Sequence, residues 1–156
     1  MRNRNWDESL RSAAVSGALA AGATAMCAAV TGARDSGSAV APINATSHIA
    51  WGASAGNVEE VDAKHTPLGA ALHFGACVFW ATLYERFFGR AAERRDVRTA
   101  LLGGGAVAAA AYLTDYHVVP KRLTPGWEYR LAPRSLAAVY AVLALSLPLR
   151  GLLRGR

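Results

Sequence analysis

Four stretches of this chain carry almost no formal charge, and each is about as long as a lipid bilayer is thick. A helix crosses the hydrocarbon core in roughly 20 consecutive apolar residues. The first run, SAAVSGALAAGATAMCAAVTGA, has no ionisable side chain except Cys27. The second, TPLGAALHFGACVFWATLY, holds one histidine, and the third carries only Asp115 and His117 among small, apolar and tyrosine residues. The fourth, SLAAVYAVLALSLPL, nears spanning length by continuing past Arg150, whose side chain is expected to snorkel to the interface. These runs predict membrane spans at 12–33, 66–86, 99–119 and 135–153. The fold class follows: all-α, an integral membrane four-helix bundle, with 1–156 as a single membrane domain.

Composition agrees with that reading. Charged residues make up 18% of the chain, below the roughly 25% of soluble domains. Mean hydropathy is only +0.17, because alanine and glycine dilute the average. Two rival readings start from the same runs. Arg2, Arg4 and the small residues Ala23-Thr24-Ala25 resemble a cleaved signal peptide. Against this, Asp7 and Glu8 spoil the basic flank, and the run is longer than a signal peptide needs. A soluble bundle of alanine-rich helices is the other alternative. The net charge of +6 raises nucleic acid as a partner. Yet the arginines gather at the ends of apolar runs, and the aromatic-plus-basic interleaving of nucleic-acid modules is missing, so no nucleic acid is expected.

Those arginines set an orientation. Three basic residues lie before the first span, five between the second and third, and three at the C-terminal end, eleven in all including Arg2 and Arg156. The other two loops hold two and four. Positive charge favours the cytoplasmic side, so both termini are expected there, in a bacterial inner membrane. Glycines and alanines crowd the first and third spans, where they let helix backbones approach closely. Cys27 and Cys77 sit singly in apolar runs and read as small buried hydrophobes.

On this topology His48 and His65 (first external loop), His73 (outer half of the second span), and Asp115 and His117 (outer end of the third) share one membrane face. Ionisable groups in a membrane are costly and usually face a partner or a cavity. Imidazoles with a carboxylate suit a transition metal ion such as zinc or iron, so these five are candidate metal ligands. Asp115 and His117 are two residues apart, nearly opposite on a helix. They can share a site only if the helix unwinds before Pro120, which disfavours helix at Val119. The segment PINATSHIAWG reads as a short interfacial helix, with Asn44 one turn from His48 as an orienting group and Ile43 and Trp51 at the lipid boundary. Glu85, followed directly by Arg86, reads as a helix-end ion pair or interfacial carboxylate. The third loop has a Thr124-Pro125-Gly126 turn, with Trp127 and Tyr129 as boundary anchors.

NATSHIAWG, LHFGACVFWATLYE and YLTDYHVVPKRLTPGWE are similar to small four-helix inner-membrane proteins of proteobacteria, a family without an assigned activity. The resemblance spans roughly 42–134 and implies a membrane location. Two function classes remain. One is a non-enzymatic membrane protein, either a small transporter or an accessory subunit, with lipid and a homo-oligomeric or other membrane-protein partner. The other is a metal- or proton-handling site on the periplasmic face, with enzymatic activity left open. A transporter implies a cavity running past His73 toward Glu85.

Overall fold

Helix α1 (Trp6–Asp35) begins where Asn5 can cap it: the Asn5 side chain accepts the Glu8 N–H at 2.8 Å. Asp7 and Glu8 in the first turn and Arg34 in the last complement the helix dipole. These ends lengthen the helix beyond the uncharged run, to 30 residues and about 45 Å. The computed structural model describes residues 4–155; Arg2 and Arg156, both counted for orientation, lie outside them.

After α1 come two short helices, α2 (Ala41–Thr46) and α3 (His48–Trp51). The single interfacial helix expected here is interrupted at Ser47, whose hydroxyl donates back to Asn44 O at 2.7 Å. Helix α4 (Thr66–Phe87) starts with Pro67 in its first turn, where the missing N–H costs nothing. Helix α5 (Gly89–Glu93) leads to α6 (Val97–Leu113), capped by Asp96 accepting the Thr99 N–H at 3.1 Å. The Thr99 hydroxyl, together with that N–H, holds the Asp96 carboxyl below its usual range. A π-helical turn, Thr114–Val118, continues α6. Helices α7 (Pro133–Ser146) and α8 (Leu149–Arg154) form the fourth span, broken where Pro148 cannot donate to the helix ladder.

No strand occurs among the described residues. Four helical stretches, Trp6–Asp35, Thr66–Phe87, Val97–Val118 and Pro133–Arg154, are long and apolar enough to cross a membrane. They match the four spans expected from the charge-free runs. They pack side by side in the cyclic order α1, α4, α6, α7, with α5 against α8 at the end that carries the termini. The interior is mostly alanine, with Ala13, Ala20, Ala81 and Ala111 fully buried alongside Tyr84 and Leu147. Large apolar side chains such as Met26, Phe79, Leu102 and Leu145 point outward instead, as a lipid-facing surface requires. Small residues make the close approaches: a Cβ on Gly104 of α6 would lie 2.2 Å from Ala144 O of α7.

Candidate functional site

The site grows from the π turn. Pro120 forces Val119 into extended backbone (φ −76°, ψ 149°), and the last helical bond becomes Val119 N–H to Thr114 O at 2.9 Å, one residue wider than an α-turn. Asp115 then points inward, where the Tyr140 hydroxyl of α7 donates to its Oδ2 at 2.6 Å. His117 faces out and is exposed, its ring 5.6 Å from that of Tyr112. The turn is widened but still helical, so Asp115 and His117 part company.

His73 of α4 reaches the same interior from the other side. Its Nε2 lies 3.0 Å from Thr24 Oγ1 and 3.2 Å from Ala21 O on α1. The Thr24 hydroxyl donates to Ala20 O at 2.6 Å, which leaves its oxygen to accept. With acceptors on both contacts, Nε2 carries the proton. The thiol of Cys77, one turn along α4, is 3.7 Å from that nitrogen. A protonated Nε2 cannot draw off the thiol proton, so the pair is not an activated nucleophile.

Between these groups lies a pocket of about 140 Å³ lined by His73, Asp115, Cys77, Tyr140, Trp80 and Trp127 with apolar neighbours. Trp127 was expected at the lipid boundary. It is instead buried, its ring 5.0 Å from that of His73 and its Nε1 donating to Thr46 Oγ1 at 3.1 Å. The preceding turn allows this: Gly126 adopts φ +81°, and a Cβ there would lie 2.6 Å from Ala45 O. A Pro-Gly pair with positive φ at the glycine is the type II arrangement. The loop thereby folds over the helix ends and roofs the pocket. Two lining residues are exposed, Ala76 of α4 and Leu123 of the third loop, so the pocket reaches the surface both beside α4 and at the edge of the roof.

The remaining candidates serve elsewhere. His48 ties two loops, with Nδ1 2.9 Å from Ala45 O and Nε2 3.3 Å from Lys121 O, and stands edge-on to Tyr129. His65 pairs with Asp62 at 2.6 Å. The backbone N–H of His65, its imidazole and the N–H of Lys64 hold the Asp62 carboxyl below its usual range. Asn44 does not orient a histidine: its Nδ2 donates to Val58 O and Glu60 O, at 3.1 and 2.8 Å, and its Oδ1 accepts from Thr66 at 2.7 Å. Of the five candidate ligands, the pocket brings together His73 and Asp115 alone. Among the described residues no group of three or more His, Cys, Asp or Glu is placed to hold a metal ion. The zinc or iron reading therefore has no support in this geometry.

Sequence reasoning missed Tyr140 and Thr24, the hydrogen-bond partners of Asp115 and His73. The available signal was a lone tyrosine in the fourth span and a threonine in an alanine run.

A second polar cluster closes the opposite end. Glu85 is buried, and accepts from Arg4, from Ser16 and twice from Arg150, whose Nε and Nη2 lie 2.9 and 3.1 Å away. Arg4 and Arg150 also pair with Glu93. Partial burial opposes ionisation of Glu93, but the two guanidiniums outweigh it and hold the carboxyl below its usual range. Glu85 is thus an ion pair, but not with its neighbour Arg86, which lies over the rings of Trp6 and Phe87. Arg150 turns inward to this cluster and does not snorkel. The pocket lining ends at Trp80 and Leu143, and buried Tyr84 and Leu147 follow in α4 and after α7. The cavity that a through-transporter needs does not reach Glu85 in this conformation. Comparison of the chain with protein-family models, curated proteins and solved structures finds no match.

Proposed function

We propose that the chain is a non-enzymatic, multi-pass inner-membrane protein that binds a small molecule in the pocket beside His73 and Asp115, as an accessory or sensing subunit. The orientation comes from the arginine bias, with both termini cytoplasmic and the pocket in the outer half of the bilayer. The observation that carries the reading is the pocket itself: apolar and aromatic walls with a few polar groups, the usual makeup of small-molecule sites. It is bounded at its inner end, which favours binding over passage. The pair most suggestive of catalysis, His73 and Cys77, has its imidazole proton on the wrong nitrogen for a general base.

Two measurements test this. A reporter fused after Arg156 is expected to be active only in its cytoplasmic form; periplasmic activity would overturn the orientation. Ala76→Phe places a bulky ring at the exposed rim of the pocket, where the fold has room for it. This variant is expected to keep its thermal stability and lose binding of small pocket probes. Unchanged probe binding would remove the pocket from the function.

A further inference from the structure

We infer that the pocket selects a small protonated amine, with Asp115 as its counter-ion; the inference rests on the pocket reading above. It starts from which polar atoms are unspent. Tyr140 donates to Asp115 Oδ2, whereas Oδ1 receives no hydrogen bond among the described residues. His73 uses Nε2–H toward Ala21 and Thr24, which leaves Nδ1, a bare acceptor, without a partner among them. The Trp127 N–H is committed to Thr46, and the hydroxyls of Thr24 and Tyr140 are committed as donors. What the pocket has left to offer is two acceptors, one of them a carboxylate, beside two neutral donors, the Trp80 indole N–H and the weak Cys77 S–H. A site whose one charged group is a carboxylate, with no charged donor beside it, calls for a ligand that brings N–H donors and positive charge.

The surroundings point the same way. No lysine or arginine is among the described lining residues, while two indoles and a phenol are. Aromatic faces attract cations, most strongly when water is excluded. A carboxylate in the membrane region without a basic partner is itself costly, and an ammonium ion supplies that partner. Size sets the rest. An apolar cavity of about 150 Å³ holds benzene, so about 140 Å³ admits a body of roughly six or seven non-hydrogen atoms. The ligand class is therefore a compact alkyl- or arylammonium ion, its amine on Asp115 and its apolar body against Trp80 and Trp127.

The test uses the full chain in lipid nanodiscs, titrated calorimetrically with cyclohexylammonium and with cyclohexanol, its neutral near-isostere, with protein-free nanodiscs subtracted. The wild type is expected to bind cyclohexylammonium at least about tenfold more tightly, the lower end for a charge-assisted hydrogen bond. Asp115→Asn is expected to erase that preference and leave cyclohexanol within about twofold, because Tyr140 can still donate to the amide oxygen. Equal binding of the two probes by the wild type overturns the amine assignment while leaving the pocket intact. A preference that survives Asp115→Asn removes Asp115 as the counter-ion. Binding of neither probe overturns the pocket reading and the inference with it. Should Asp115→Asn fail to fold, the wild-type comparison alone still decides.

Discussion

Replacing Glu85 by glutamine unbalances the cluster at the end that carries the termini, and the consequence can be worked out charge by charge. Two guanidiniums, Arg4 and Arg150, face two carboxylates, Glu85 and Glu93. Glu85→Gln leaves one positive charge uncompensated, and Arg150→Met leaves one negative. The double replacement restores neutrality, because Arg4 still pairs with Glu93. Removing one partner of a buried pair costs about 3–5 kcal/mol, whereas replacing both is often close to neutral. Glu93 is 38% exposed, so water shares part of the imbalance, and each single variant is expected near the lower figure, about 3 kcal/mol. The double variant is expected to lose no more than either single one, which gives a coupling of about 3 kcal/mol. The assay is reversible unfolding in mixed detergent micelles, read by near-ultraviolet circular dichroism. A double variant whose loss equals the sum of the single losses, within the roughly 0.5 kcal/mol typical of independent sites, would refute the reasoning. Arg86→Met is the internal control. It makes no ion pair among the described residues, so it is expected to lose only its stacking on Trp6 and Phe87, about 1 kcal/mol or less.

Two further outcomes are expected. Gly104→Ala drives a Cβ into Ala144 O, while Gly105→Ala meets nothing within 4 Å. The first is expected to destabilise by about 1–3 kcal/mol through overpacking, and the second to leave stability unchanged or raise it by up to about 1 kcal/mol; thermal melts of the pair decide. For pH, the Glu93 carboxyl is depressed in the folded chain, so its contribution is fully present above the unfolded-state pKa and is lost as pH falls through the lower folded value. An acid titration of stability is therefore expected to hold through the ordinary carboxylate range and decline below it. Glu93→Gln is expected to remove that part of the decline.

The spans were legible because charge is excluded from lipid, and a run without charge needs no tertiary information to be recognised. Their ends were less so. Asp7 and Glu8 belong to α1, and Asn5 caps it, although all three lie outside its apolar run, since capping and dipole effects act just where hydropathy falls. That Asp115 and His117 diverge follows from their spacing. Which of the two turns inward does not, because it depends on Tyr140, 25 residues further along. Arg150 shows the limit most clearly. An arginine at the end of an apolar run fits snorkelling, and only the arrival of Glu85 from a helix 65 residues earlier turns it inward. Trp127 similarly fits a boundary anchor until Gly126 folds its loop over the pocket.

The roof over the pocket is stitched in three places: Trp127 to Thr46, Gly126 beneath Ala45, and His48 between Ala45 and Lys121. Such a roof does not lift without breaking several contacts together, so entry is left to its edge at the exposed Leu123 and to the flank beside Ala76. With the four helices in a bilayer as proposed, a pocket entered by the flank route would draw on ligand dissolved in the lipid. The concentration it meets is then set by partitioning, which rises about fourfold for each methylene at roughly 0.8 kcal/mol. Along that route, choice among homologues of the proposed ligand would begin in the lipid, before any of them reached Asp115.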